Sequence, residues 1–234
     1  TMNGTDMERQ DLAGEAYLMR AFSYFMLANL YGKPYHPATA NEDLCVPLNK
    51  EIGLSDKMMK RATNAAVYAQ MEEDINKAIQ CFKAIGGEKT IFRPNLPSAY
   101  LLASRIALFQ EKYDVTILYC DSVFKVATQP LYKLQEKKDH YFFSLANKEI
   151  LLSYGLTSLE THMKEDFRYT GNLVVSDDLL ALYSEDDLRL TNYFKNTIGN
   201  QTRPTNKQYS VYTPIKWTKN SATVYANALR ISEA

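Results

Sequence analysis

The densest group of ionisable side chains in this sequence is a run of three carboxylates followed closely by a guanidinium. Glu185, Asp186 and Asp187 stand together, and Arg189 follows two positions later. Two carboxylates placed on opposite sides of a glycosidic bond can hydrolyse it. Carboxylates adjacent in sequence are usually solvated, however, and an arginine beside them readily forms a charge-assisted hydrogen bond. We therefore interpret Asp187 and Arg189 as a structural ion pair, and we predict no catalytic residue.

A second chemistry that the sequence offers is the stacking of aromatic rings on a polar ligand. Tyr31, Tyr35 and His36 lie at the mouth of a proline-rich stretch, and loops on rigid scaffolds often carry binding residues. The same rings could instead pin that stretch to the preceding helix. Tyr212 and Trp217 pose the same choice in an alternating segment, where Trp217 is on the apolar side and Tyr212 on the other. These five residues are the predicted ligand contacts.

Histidine and cysteine are too sparse and scattered to indicate a metal centre. His36, His140 and His162 form no HExxH or HxH arrangement, and the three cysteines form no CxxC pair. The sequence also lacks a phosphate-binding loop, a dinucleotide-binding glycine motif and a GxSxG elbow. We predict neither a metal nor a cofactor.

The composition excludes some classes of protein. The 234 residues carry 27 Lys+Arg and 27 Asp+Glu, so the formal net charge is +0. A protein that coats nucleic acid needs an excess of basic residues to neutralise phosphates, and this chain has none. No stretch approaches the ~20 apolar residues of a membrane-spanning helix. Tyrosine is abundant, with 17 residues against 1 Trp, and tyrosine suits surfaces that bind polar or ring-shaped ligands.

Hydrophobic spacing predicts helices in the first part of the chain. The first runs from about Leu12 to Tyr31, and residues 33–54 follow as a long ordered loop. Thr63 or Asn64 caps a second helix that ends at Gly86. The second helix has a predicted apolar face of Val67, Met71, Ile75, Ala78, Ile79 and Phe82, and Gln70 lies on its predicted solvated face. A helical hairpin follows between Pro97 and Pro130. Its predicted apolar stripes are Ala99, Leu102, Ala103, Ile106 and Ala107 in the first helix of the hairpin and Ile117, Cys120, Val123, Phe124 and Ala127 in the second. The predicted apolar stripe of the first helix consists of Leu12, Ala16, Met19, Phe22, Phe25, Met26 and Leu30.

After Pro130, the long stretches with helical spacing of apolar residues are replaced by shorter strand and helix patterns. Residues 149–154 are typical of a short buried strand, and Ser176 is placed to cap a helix that reaches Tyr183. Residues 209–217 alternate with the period of a strand, and Pro214 favours an edge position. Residues 228–234 are predicted to begin a helix.

Several stretches taken in order resemble the SusD/RagB family of outer-membrane nutrient-binding lipoproteins. Residues 14–35, GEAYLMRAFSYFMLANLYGKPY, are similar to the family's G-E-A-x-x-x-R-A helix and the Tyr-Gly and Pro turn that follows it. Residues 97–124 resemble its tetratricopeptide-like hairpin, in which a Leu-Leu-Ala-Ser-Arg helix leads to a Lys-Tyr-Asp turn. Shorter matches follow in family order at Val46-Pro47-Leu48, at Arg61 with Ala66-Val67-Tyr68 and Glu73-Asp74-Ile75, at Asn147-Lys-Glu-Ile150, at Asp187 and Arg189, and at Arg230-Ile-Ser-Glu233-Ala234.

The resemblance implies a mostly α fold, with tetratricopeptide-like helix hairpins, a loop-rich portion and a few short β-strands. It implies one partial SusD-like domain over residues 1–234, with a helical scaffold in 1–130, a loop-rich part in 131–227 and the start of a truncated helix in 228–234. The family's export signal and lipid-bearing cysteine have no match in this sequence, so we expect the central portion of a longer protein.

The function implied by the resemblance is binding without catalysis. The protein is expected to bind an oligosaccharide, or a peptide, at the cell outer membrane and to deliver it to a SusC-like TonB-dependent transporter. The membrane would be reached through a lipid anchor that this chain does not contain, and no nucleic acid is involved. Two alternatives stay open: a helical-repeat scaffold for protein–protein interaction and a carbohydrate hydrolase with two facing carboxylates about 5 to 9.5 Å apart.

Overall fold

The structure is a computed structural model, and the chain divides in it into two compact units, residues 1–128 with 229–234 and residues 129–228. Within the residues that the structure describes, the chain is mostly helical, which confirms the predicted class. The described residues are 4–50, 58–87, 89–127, 131, 149–153, 176–189, 194–199, 209–214 and 228–230.

The first unit contains four helices, and each packs against the next along the chain. They are α1 (Asp6–Tyr31), α2 (Asn64–Ile85), α3 (Leu96–Phe109) and α4 (Tyr113–Val126). The contacts run from α1 to α2, from α2 to α3 and from α3 to α4, which is the layered arrangement expected of helical hairpins. None of the described helices is long and apolar enough to cross a lipid bilayer.

Local capping chemistry sets the ends of these helices. Helix α1 begins at Asp6, not near Leu12, because the Glu8 N–H donates to Thr5 Oγ1 (3.2 Å) and the Thr5 N–H donates to Glu8 Oε2 (2.8 Å). The polar first turns have no apolar period, so hydrophobic spacing did not detect them. Helix α2 begins at the predicted Thr63 cap and ends at Gly86, whose φ of +65° suits glycine.

The buried face of α1 differs from the predicted stripe. Leu12, Met19, Met26 and Leu30 are exposed, and Leu30 exposes 68% of its surface. The buried residues of α1 are instead Gly14, Leu18, Ala21, Tyr24, Phe25 and Ala28. Gly, Ala and Ala recur there at intervals of seven, and small residues in register allow two helices to approach closely. Helix α1 is apolar on more than one side, and only its packing partner decides which side is buried.

Helix α2 presents the predicted apolar face, since Val67, Met71, Ile75, Ala78, Ile79 and Phe82 are all buried. Three polar residues of α2, Asn64, Gln70 and Asp74, are buried as well. Asp74 is fully buried and accepts hydrogen bonds from Arg20 Nε (2.7 Å), Arg20 Nη2 (2.6 Å) and Gln70 Nε2 (2.9 Å). Gln70 was predicted on the solvated face, and its bond to Asp74 explains why it is inside. This pairing joins the middle of α1 to the middle of α2.

In the hairpin of α3 and α4, helix α3 is largely buried and helix α4 is largely exposed to solvent. The predicted stripe of α3 is buried, but Val123 is the one fully buried residue of α4. Ile117 and Phe124, predicted as apolar contacts, are 59% and 47% exposed. The periodicity correctly predicted a helix there, but an apolar stripe is covered only where another element lies against it.

The second unit contains short elements. Strand β1 (Ile150–Ser153) is buried along its whole length, as predicted. Helix α5 (Asp177–Leu180) begins at the predicted Ser176 cap, where the Leu179 N–H donates to Ser176 Oγ (3.2 Å), but it is shorter than predicted.

Strands β2 (Phe194–Gly199) and β3 (Tyr209–Pro214) form an antiparallel pair in which Phe194 lies opposite Pro214 and Gly199 opposite Tyr209. Strand β2 was not predicted, because its sequence has no clear alternation and its partner provides the pairing. The last described element is strand β4 (Ala228–Arg230). The prediction that a helix begins at Ala228 is therefore wrong. A pattern of seven residues cannot specify a helix, since short helices are marginal without packing.

Candidate functional site

The end of α1 turns sharply into the proline-rich segment. The Gly32 N–H donates to the Ala28 carbonyl (2.8 Å) and closes the helix. A Cβ at position 32 would lie 2.6 Å from that carbonyl oxygen and 2.9 Å from Cys45 Sγ. Glycine is therefore required because any side chain here would clash, and not because of its backbone φ angle. The space is limited because residues 33–50 fold back against the end of the helix. We call this segment the 33–50 loop.

Backbone hydrogen bonds fasten the 33–50 loop to the start of α2. The Cys45 N–H donates to the Ala62 carbonyl (2.7 Å), and the Ala62 N–H donates to the Val46 carbonyl (3.1 Å). The Asn64 N–H donates to the Asp43 carbonyl (2.8 Å). A loop whose backbone groups are paired in this way is ordered, as the sequence predicted for this long segment.

Side chains add a second set of attachments to the same loop. Asn64 Nδ2 donates to the Lys33 carbonyl (3.1 Å), and the Tyr24 hydroxyl donates to the Asn49 carbonyl (3.0 Å). Lys33 forms an ion pair with Asp43, and this pair, with a hydrogen bond from Thr39, lowers the pKa of the Asp43 carboxyl. Burial raises the pKa of the Cys45 thiol. The loop is therefore held both by its backbone and by α1 and α2 side chains.

Arg61 lies at the centre of these attachments, although its residue type and spacing predict no functional role for it. Its Nε donates to the Cys45 carbonyl, and its Nη2 donates to the Leu44 carbonyl (2.7 Å) and, over 3.5 Å, to the Tyr31 carbonyl. The guanidinium thus joins the last residue of α1 to the loop. A basic residue two positions before a helix cap is a weak sequence signal, and only the folded chain shows which carbonyls it reaches.

The three predicted contacts at the mouth of the loop have different environments. Tyr31 exposes 67% of its surface at the end of α1. Tyr35 is half-buried against Tyr68, with ring centroids 4.7 Å apart and planes at 54°, so its ring pins the loop. His36 is exposed, and its Nδ1 accepts a hydrogen bond from the Ala38 N–H (3.3 Å). The structure thus brings all three to one loop and leaves Tyr31 and His36 open to solvent.

We predict a pH-dependent loss of stability from the ring that supports Tyr35. Burial raises the pKa of Tyr68 to about 12, from an ordinary value near 10. Because the folded state keeps the phenol protonated where the unfolded state ionises, stability is complete below pH 10 and declines towards pH 12. Between pH 9 and pH 11 the free energy of unfolding should fall by about 1.4 kcal/mol through this group.

Urea unfolding at both pH values, compared between wild type and Tyr68→Phe, measures this contribution. The other tyrosines and the lysines titrate in both proteins, so the difference between them isolates Tyr68. An equal decline in the two proteins would contradict the prediction.

The two other predicted contacts lie in the second unit. Tyr212 is in strand β3, opposite Asn196 of β2, and Trp217 lies outside the described residues. Their part in ligand binding stays a prediction.

Asp187 and Arg189 form the ion pair that their spacing suggests. Arg189 Nη2 lies 2.6 Å from Asp187 Oδ2, and the Arg189 N–H donates to Asp187 Oδ1 (2.8 Å). These side-chain and backbone hydrogen bonds lower the pKa of the Asp187 carboxyl. Arg189 also lies over the Tyr183 ring, 5.2 Å from its centroid. The Asp187 carboxylate is thus occupied by an arginine, as in a structural pair.

Carboxylates in the first unit are also paired with cations. Asp11 and Glu15 both contact Lys89, and Glu15 accepts from Arg93 Nε (2.8 Å). Across the described residues, no cluster of three or more His, Cys, Asp or Glu side chains is arranged to hold a metal ion. In the first unit, the exposed rings of Tyr31 at the end of α1 and His36 on the ordered 33–50 loop are therefore the candidate binding surface.

Comparison with known proteins gives a consistent fold. A family model described as SusD-like, starch-binding and associating with the outer membrane matches residues 1–108. No curated protein matches the sequence. A SusD superfamily protein from Bacteroides thetaiotaomicron is similar over all of this chain and 55% of its own, with 22% identity and a TM-score of 0.80.

Two further solved structures are also similar to this chain. A SusD-like carbohydrate-binding protein from Bacteroides vulgatus has 18% identity and a TM-score of 0.75, covering 99% of this chain and 50% of its own. A laminarin-binding SusD-like protein has 22% identity and a TM-score of 0.52, covering 68% of this chain and 33% of its own. The chain spans about half the length of the first structures it matches.

Proposed function

We propose that this chain, whose residues 1–108 match a SusD-like family model, binds an oligosaccharide nutrient at the outer membrane and passes it to a SusC-like TonB-dependent transporter. Binding needs no catalysis, and Asp11, Glu15 and Asp187 are held in ion pairs. The starch-binding description of the family model and the laminarin-binding neighbour both point to polymers of glucose as first candidates for the ligand.

The observation that carries this proposal is the exposed ring of Tyr31 on a fixed backbone. Its carbonyl accepts from Arg61, while 67% of the residue is open to solvent. A tyrosine ring offers a flat apolar face for the C–H surface of a sugar and a hydroxyl for its polar edge. His36, exposed on the adjoining loop, adds a ring nitrogen that can bond to a sugar hydroxyl. A side chain on a fixed backbone loses less conformational entropy on binding than one on a mobile loop, which favours affinity.

Calorimetric titration with starch, laminarin and a panel of other polysaccharides and peptides tests the proposal. We expect Tyr31→Ala to weaken glycan binding about tenfold, since a central aromatic contact is typically worth more than 1 kcal/mol. Tyr113→Ala is the matched control, because Tyr113 is similarly exposed at 60% but begins α4. Absence of binding to every ligand would refute the nutrient-binding function, and equal affinity of Tyr31→Ala and wild type would remove Tyr31 from the site.

A helical-repeat scaffold for a protein partner is the second candidate function. The exposed apolar residues of α4, among them Ile117, Leu118 and Phe124, favour it, because large apolar patches mark interaction surfaces. In that case Leu118→Glu would weaken association with the transporter, and Tyr31→Ala would not.

A further inference from the structure

We infer that Arg61 is a positioning residue for the proposed glycan surface: its guanidinium joins the 33–50 loop to the end of α1 and so fixes Tyr31 and His36 relative to each other. This inference rests on the proposed function for its ligand. Its structural part, the fixing of the loop by Arg61, can be tested without any ligand.

The bonding of Arg61 is unusual for an exposed arginine. Its donors go to three backbone carbonyls and connect two segments of chain, Tyr31 on the helix and Leu44 with Cys45 on the loop. A planar guanidinium can serve several acceptors at fixed angles, which a single ammonium cannot do. Hydrogen bonds from a charged donor are also stronger than those between neutral groups.

The other side-chain hydrogen bonds of the loop that are described above do not contact Tyr31. Asn64 Nδ2 reaches the Lys33 carbonyl, and Tyr24 reaches Asn49 near the far end of the loop. Within the part of the loop that the structure describes, the side chain that contacts the carbonyl of Tyr31, the residue with the exposed ring, is Arg61 (3.5 Å). Loss of its side chain should therefore free the junction between Tyr31 and the loop while leaving the helices packed.

Local opening of this junction can be measured by amide hydrogen exchange. The Cys45 and Ala62 amides donate to the Ala62 and Val46 carbonyls, where the loop is fastened to the chain before α2. We expect Arg61→Gln to raise exchange at these two amides about tenfold, with less than a twofold change at Val67 and Met71 in the core of α2. The same variant should bind the glycan found for wild type, starch or laminarin, about five to ten times more weakly.

Two variants control this experiment. Arg93→Gln removes a guanidinium whose Nε donates to Glu15 (2.8 Å), in the first half of α1 and several turns before Tyr31. It should leave both the loop amides and the glycan affinity unchanged. Arg61→Lys keeps a positive charge near the negative end of the α1 dipole but cannot serve three carbonyls, so it should resemble Arg61→Gln.

The outcomes separate this inference from the proposed function. Unchanged exchange in Arg61→Gln would overturn the inference, and so would wild-type behaviour of Arg61→Lys. Faster exchange with full glycan affinity would also overturn it, because the loop would then be fixed without any benefit to binding. If wild type binds no glycan, the proposed function fails together with the ligand part of the inference, and the exchange data still decide whether Arg61 fixes the loop.

Discussion

Replacing Arg20 by methionine is expected to lower the free energy of unfolding by about 3 kcal/mol. The Asp74 side chain has no exposed surface, and Arg20 donates to both of its oxygens. Methionine keeps the apolar stem but removes both donors, which leaves a buried carboxylate that still accepts a hydrogen bond from Gln70. Removing one partner of a buried ion pair typically costs 3–5 kcal/mol, and we take the lower figure because 33% of the Arg20 side chain is exposed.

Lys77→Met is the matched control for this prediction. Lys77 also lies over the Tyr17 ring, 5.4 Å from its centroid against 5.6 Å for Arg20. Its partner Glu73 is half-exposed, however, and exposed ion pairs of this type contribute little to stability because water and salt screen them. Urea denaturation of the three proteins measures the difference. Equal stabilities of the two variants would show that burial of Asp74 does not govern the strength of its pairing.

The second large effect is expected at Gly14, where valine should destabilise the protein by about 2–3 kcal/mol. A Cβ at this position would lie 2.8 Å from Cys81 Cβ and 2.9 Å from Phe82 Cε1. Contacts this short force the helices apart or move side chains out of their rotamers, at a typical cost of 1–3 kcal/mol. Glycine is therefore the residue that lets α1 and α2 pack closely.

Ala16→Val is the control, because helix propensity and close packing predict opposite orders of stability for this variant and Gly14→Val. Helix propensity favours valine over glycine by a few tenths of a kcal/mol and disfavours valine relative to alanine by at most about 0.7 kcal/mol. Propensity alone thus predicts that Gly14→Val is the milder change. Because Ala16 is exposed on the same helix, close packing predicts the reverse order. Thermal or urea unfolding distinguishes the two, and a Gly14→Val protein as stable as wild type would contradict the close approach of the helices.

The positions and several ends of the helices could be predicted because they depend on residues close in sequence. Thr63 caps α2, and Gly86 ends it, through atoms within a few residues of each other. The apolar face of α2 was also predicted correctly, since the helix is strongly amphipathic. Helix α1 was different, because it has apolar residues on several sides. The small residues Gly14, Ala21 and Ala28 recur at intervals of seven on its buried face, and the predicted apolar stripe contained none of them.

The candidate site shows the same division. The sequence indicated that Tyr31, Tyr35 and His36 lie at one loop, because a helix ends there and prolines follow it. It could not show that Tyr35 rests on Tyr68 while Tyr31 faces solvent. It matched Arg61 only as part of a stretch that resembles a family helix and predicted no contacts for it, because the carbonyls that the guanidinium contacts belong to residues 16 to 30 positions away.

The amino-acid sequence by itself therefore determined the helical class, the limits of α2 and the ordered character of the 33–50 loop. Each of these follows from spacing, caps and turn residues that act over a few positions. The tertiary structure alone decided which face of α1 is buried, which aromatic ring is open to a ligand and where the donors of Arg61 go. These depend on which element lies opposite, and that element is distant in the chain.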